Sequence, residues 1–165
     1  MSSCRVVIPF TPKPKASVRM SRGRAYNPSA RGMKQVAEHV KKQLQSKPIP
    51  LLKGPLFVVV HFVMPAPLGL SERKRQVQNC LPHTKRPDGD NLEKYLNDAL
   101  TGIVWSDDAQ ITWILRSKTL TSDKEGYTVF SAQEINDEEP DYNELLRIIR
   151  EHIHIHKGEE NETND

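Results

Sequence analysis

Residues 56–64, Leu56-Phe57-Val58-Val59-Val60-His61-Phe62-Val63-Met64, are apolar at every position but one. A run that is short, rich in Val and Phe and closed by Pro65 reads as a strand covered on both faces, at the centre of a sheet. His61, alone in that run, reads as a hydrogen-bonded core histidine and not as a ligand.

Upstream, residues 30–47 carry Met33, Val36, Ala37, Val40 and Leu44 at helical spacing, which predicts an amphipathic helix. Ser29 stands at its N-cap position, and Pro48 and Pro50 stop it. His39 falls off the stripe and is expected to be exposed. Before the helix, residues 11–31 read as an extended basic loop with three prolines, and residues 4–10 (CRVVIPF) as a first strand. Downstream, residues 65–87 form a long connection with a short helix begun by Ser71. Residues 90–100 (DNLEKYLNDAL) predict a second core helix, with Gly102 as its terminating glycine. Residues 110–120 and 126–133 read as two antiparallel strands joined by a hairpin around residues 122–125. A last helix is predicted at about residues 142–153 and a polar, disordered tail from 157 to 165. The order β-α-β-α-β-β plus a C-terminal helix predicts an α+β, two-layer domain, with a mixed β-sheet and helices packed on one face.

The chain has 165 residues and a net charge of +3, but the charge is unevenly spread. Residues 1–120 hold 20 Lys and Arg against 8 Asp and Glu, whereas residues 121–165 hold 4 against 13. A body of +12 followed by an end of −9 points to a polyanionic partner, with nucleic acid foremost. Lys13, Lys15, Arg19, Arg22 and Arg24 lie in the first loop with no acid among them, and read as an arm that follows phosphates. Arg73, Lys74, Arg75, Lys85 and Arg86 line the second loop. The acidic end is expected to compete with DNA for this basic surface. No apolar run approaches the roughly 18 residues of a membrane span, and no secretory signal is visible. Two cysteines, Cys4 and Cys80, make neither a disulfide framework nor a zinc site. A cytoplasmic protein is expected.

Six of the eight acids in the basic body, Asp88, Asp90, Glu93, Asp98, Asp107 and Asp108, fall within 21 residues. Singly, each has a plain explanation: Asp90 as an N-cap, Asp88 as a turn residue beside Gly89, and Asp107-Asp108 as a solvated turn. Together, a helix and turn of this length can return the chain near its start, bringing Asp108 towards Asp88 and Asp90. Such a trio would suit Mg²⁺, a hard cation that takes few carboxylates and completes its shell with water and phosphate oxygens. Lys94 follows Asp90 by one helical turn on the same face, where a cation can stabilise charge developed in phosphoryl transfer. An EF-hand is excluded by Leu92 at an oxygen-ligand position, and Walker, dinucleotide and serine-elbow motifs are absent. The alternating His152, His154 and His156 do not read as a metal site.

Residues 85–94 (KRPDGDNLEK), then 98–101 (DALT), then Trp105-x-Asp107-Asp108-Ala109-Gln110, resemble the RusA-type Holliday junction resolvases of bacteria and their phages. The likeness is dense over residues 85–110 and looser over the first strand, the Arg22-Gly23-Arg24 loop and the following helix and strand. It implies a homodimeric endonuclease that makes paired nicks in four-way DNA junctions during recombination and repair. The implied cofactor is Mg²⁺, with Mn²⁺ able to substitute, and no small-molecule cofactor or membrane is involved. By motif position, Asp88, Asp90 and Asp108 take the metal-binding roles, Lys94 is the catalytic lysine, Asp107 matches a neighbouring acidic position, and Lys85 and Arg86 match a DNA-contacting run. Pro87 departs from the Arg that some members carry, and the 65–87 loop is longer than in compact members. Residues 1–135 are expected to form the nuclease domain, 136–156 a helical extension and 157–165 the acidic tail. The alternatives are a less selective flap or branched-DNA nuclease, and a non-catalytic branched-DNA-binding protein whose carboxylates are caps and turn residues.

Overall fold

The computed structural model describes residues 2–46 and 48–135. All but the last of them, Ile135, fall in one compact unit, Met1–Glu134. The helix expected at residues 142–153 and the tail at 157–165 lie outside the described residues. Among the described residues no helix is long and apolar enough to cross a membrane.

The central strand is where its composition requires it. β4 (Leu56–Pro65) is buried at every position except His61 and Pro65, and it has a hydrogen-bonded strand on each side. β1 (Ser3–Ile8) alternates exposed and buried residues, turning Cys4, Val6 and Ile8 inward, as a strand packed on one face must. With β5 (Ile111–Thr121) and β6 (Tyr127–Glu134) the sheet order is β1-β6-β4-β5. β5 runs parallel to β4, while β6 runs antiparallel to both β4 and β1. The expected hairpin between the last two strands is therefore corrected: β5 and β6 do run in opposite directions, but β4 lies between them. A strand apolar on both faces is stable only with neighbours on both edges, and β4 takes both. The β5–β6 connection crosses the end of β4 so closely that a Cβ on Gly126 would strike the Val63 carbonyl oxygen.

Two helices cover one face of the sheet. α1 (Ala30–Ser46) buries Val36 and Val40. The Ser29 hydroxyl before it accepts a hydrogen bond from the Ala16 N–H at 2.9 Å, fastening the basic arm to the helix start. The short α2 (Glu72–Val77) buries nothing. α3 (Gly89–Leu100) buries Leu92, Tyr95, Leu96, Ala99 and Leu100 against Val58, Val60 and Phe62 of β4. Trp105, fully buried just past α3, meets Phe130 edge-on at 6.3 Å. This is an α+β arrangement of helices on a mixed sheet.

Two local expectations change and one holds. The arm is not plain loop, since β2 (Arg19–Ser21) and β3 (Arg24–Tyr26) form a hairpin. Its two-residue turn has positive φ at both Arg22 (48°) and Gly23 (73°), the combination that matches strand twist. His39 is half-buried, edge-on to Phe10 at 5.4 Å and with Nε2 3.1 Å from the Val7 carbonyl oxygen. His61 is hydrogen-bonded as expected, to Ser117 Oγ at 2.5 Å and Thr119 Oγ1 at 3.2 Å.

Candidate active site

The exposed N-terminal end of α3 gathers most of the motif. Asp88 is the N-cap residue, yet its side chain makes no capping hydrogen bond. Its carboxylate is thus not used by the helix. Asp90, in the first turn, accepts a hydrogen bond from Lys94 Nζ at 3.3 Å, both side chains being more than half exposed. The Lys94 hydrogen bond is the first cause that holds the Asp90 carboxyl below its ordinary range, reinforced by the lysine's charge and by backbone N–H donors. Glu93, on the inner side, binds the Arg116 guanidinium of β5.

The approach to Asp88 is laced onto the edge of β5. The Cys80 N–H donates to Leu120 O at 2.9 Å, the Leu120 N–H to Leu81 O at 2.9 Å, and the His83 N–H to Lys118 O at 3.0 Å. Lys118 Nζ then donates to the carbonyl oxygens of Lys85 and Pro87, each at 2.7 Å. The Arg86–Pro87 bond is cis. Lys85 and Arg86 are exposed beside Asp88. His83 is held below its ordinary pKa by burial first, then by the charges of Lys118 and Lys85.

Asp107 and Asp108 occupy the other end of α3. The Asp107 side chain accepts from the Ala109 N–H at 2.8 Å, and Gln110 Oε1 accepts from the Asp107 N–H at 2.9 Å. This reciprocal cap fixes the one-turn helix Asp108–Gln110, whose first residue, Asp108, is exposed. Gln110 Nε2 ties that turn to Gly54 O at 2.9 Å, below the start of β4. The expectation that Asp108 returns to Asp88 and Asp90 is corrected here. The 12 residues of α3 span about 18 Å at 1.5 Å each. Along β5, residue 111 next to the Asp108 turn and residue 118 under the Asp88 loop are seven positions apart, or about 23 Å at strand rise. The chain leaves α3 straight into buried Trp105, which bridges to Leu52 and anchors the following turn at the far end.

The three carboxylates are hard oxygen donors, the right chemistry for Mg²⁺, but one chain does not assemble them. Among the described residues no three His, Cys, Asp or Glu side chains are grouped to hold a metal. Within a single chain the set does not fit a shared cation.

The basic residues divide by role. Arg19, Arg22 and Arg24 are exposed on the β2–β3 hairpin, and Lys13 is exposed at the arm's start. Lys15 is tied down instead: its Nζ lies 2.5 Å from Asp98 Oδ2, and its N–H donates to Asn91 O at 3.0 Å. Arg73 and Lys74 are exposed on α2, whereas Arg75 Nε is enclosed without a hydrogen-bond partner among the described residues. Arg116 and Lys118 were not singled out from the sequence. Their signal was two cations two residues apart, just past the apolar start of the 110–120 strand.

Residues 8–129 match the family model for the endodeoxyribonuclease RusA. A Bacillus subtilis (strain 168) protein named "Uncharacterized protein YqaN" is 28% identical over 111 residues, covering 64% of this chain and 77% of its own. The family match spans both carboxylate-bearing turns, α3 between them and the basic hairpin, and the chain belongs to the RusA endodeoxyribonuclease family.

Proposed function

We propose that this protein is a Mg²⁺-dependent endonuclease that resolves four-way DNA junctions by paired nicks, working as a two-fold dimer. The observation that carries this reading is the division of the motif between the two ends of α3. Asp88, Asp90 and Lys94 stand at one end, and Asp108 stands a helix length away. A second copy related by a two-fold axis supplies what one chain lacks: Asp88 and Asp90 of one protomer would meet Asp108 of the partner subunit, twice per dimer. A closed pair is also the commonest oligomeric arrangement, and it matches a substrate with two strands to cut.

The chain's own residues have distinct tasks in this scheme. The exposed arginines of the hairpin and Lys85-Arg86 bind phosphates and set the DNA's place. Lys94, beside Asp90, puts a positive charge where negative charge develops on the transferring phosphoryl group. Asp107 keeps the Asp108 turn rigid. When bound, Mg²⁺ neutralises phosphate charge and lowers the pKa of a water.

Incubation with a synthetic four-way junction, with and without Mg²⁺, tests the reading. Symmetric paired nicks that need the cation support it, and replacement by Mn²⁺ should preserve them. Cutting of flaps in preference to junctions favours a less selective nuclease, and binding without cutting favours a DNA-binding protein. Light scattering should give a dimer; a monomer both free and on DNA would remove the two-fold scheme.

A further inference from the structure

We infer that Lys118 is a positioning residue, whose ammonium group fixes the Asp88 turn from beneath, and this inference rests on the nuclease reading above. Lys118 sits in β5, opposite Phe62 of β4, on the same face as Arg116. Its Nζ donates to Lys85 O and Pro87 O at 2.7 Å each, and its own carbonyl accepts from the His83 N–H at 3.0 Å. One residue thus holds the segment 83–87 at three points, the last of them the residue before Asp88. Arg86, between the two bound carbonyls, stays exposed.

The neighbouring cation extends the platform. Arg116 binds Glu93, and a Cβ on Gly89 would lie only 2.7 Å from Arg116 Nε. Two cations therefore lie under the N-terminal end of α3, which already carries partial positive charge. Helix stability alone would favour the opposite sign there. The arrangement is accounted for by what it holds: two backbone carbonyls and Glu93 on the inner side, with Asp88 and Asp90 left to face outward. Because Lys118 is engaged with the chain's own backbone, it is not placed to bind a phosphate.

The expected signature separates rate from affinity and folding. The bond to Lys85 O is exposed and that to Pro87 O only part-buried, so water can replace the ammonium and the fold should survive its loss. The position of Asp88 should not, and a displacement of about 1 Å at a reacting group can cost about 100-fold in rate. Lys118→Met should therefore lower the junction nicking rate at saturating DNA by about 10- to 100-fold, with junction affinity in EDTA nearly unchanged. Lys118→Arg, which keeps donors for both carbonyls, should recover much of the rate.

Amide hydrogen exchange over residues 84–92 provides a readout that needs no activity. Lys118→Met should speed exchange there and leave β4 and β6 protected. If Lys118→Met is unfolded by circular dichroism, the milder Lys118→Gln is measured in the same way. Wild-type nicking rate with unchanged exchange overturns the inference, as does a loss of affinity with turnover intact. A wild-type protein that cuts no junction defeats the nuclease reading instead, and the exchange measurement then decides on its own whether Lys118 holds the turn.

Discussion

Lys15 Nζ lies 2.5 Å from Asp98 Oδ2, joining the basic arm to the last turn of α3. The Lys15 N–H adds a hydrogen bond to Asn91 O at 3.0 Å, so the arm is fastened by side chain and backbone together. This makes Lys15 a clamp more than a phosphate contact, and it joins the arm that carries the basic hairpin to the helix that carries the acids. Both side chains are partly exposed, so the pair contributes at most about 1 kcal/mol to stability.

Removal of this clamp discriminates between the two roles by sign. If Lys15 served DNA, Asp98→Asn would release it and tighten junction binding. The clamp predicts the reverse: junction affinity falls about two- to fivefold, in line with a pair worth at most about 1 kcal/mol. Proteolysis within residues 17–28 should become faster, with turnover at saturating DNA retained. Binding curves and timed trypsin digestion read both effects.

Asp88→Asn and Asp108→Asn should each reduce nicking by about 100-fold or more, since loss of even an outer partner of a metal ligand costs about 10- to 100-fold. Each removes a negative charge from a surface that must approach phosphate, so junction binding should be kept or tightened. Gel-shift and cleavage assays on the same preparations separate the two quantities, and equal cleavage by either variant contradicts the site.

Lys94→Ala should act on turnover and little on affinity. Its ammonium is placed beside Asp90 and faces solvent, where the proposed function has it act on charge that appears during reaction. A decrease of about 100-fold in single-turnover rate is expected for loss of such a group. A collapse in affinity, with bound junction still cut normally, would reduce Lys94 to a phosphate contact.

Glu134, at the end of β6, predicts a pH dependence. Its Oε1 accepts from the N–H of Lys53 at 2.7 Å and of Gly54 at 3.1 Å. These bonds, that to Lys53 first, hold its carboxyl below the ordinary value of 4.5. The folded value lies below the unfolded one, so the stabilisation is fully present above 4.5 and is lost as pH falls through the folded value. Wild type should be more stable than Glu134→Gln near neutrality, and the difference should close in acid. Urea unfolding midpoints measured against pH check the sign.

β4 and the two core helices were legible because their periodicity is strong: nine consecutive residues dominated by Val and Phe, and apolar stripes on α1 and α3. The β2–β3 hairpin was not, because its strands have only three residues, all exposed, and so carry no burial pattern. The β5–β6 connection is short enough to read as a hairpin; only β4's need for two neighbours places it between them. The motif identified Asp88, Asp90, Lys94 and Asp108, but spacing along the chain does not state direction in space. α3 ends at Leu100 and the chain beyond it is anchored at buried Trp105, so the Asp108 turn stays at the far end. The role of Lys118 depends on two backbone carbonyls, and no side-chain pattern records those.

Subunit mixing decides whether the site is shared between two chains. Asp88→Asn and Asp108→Asn proteins are unfolded together, refolded and assayed on a four-way junction with Mg²⁺. In a mixed dimer one site carries both defects and the other carries neither. Each variant alone should be inactive, and the mixture should regain nicking, one strand at a time. A mixture that forms dimers yet stays as inactive as its parents, beside an active wild type, would contradict a site shared between two chains.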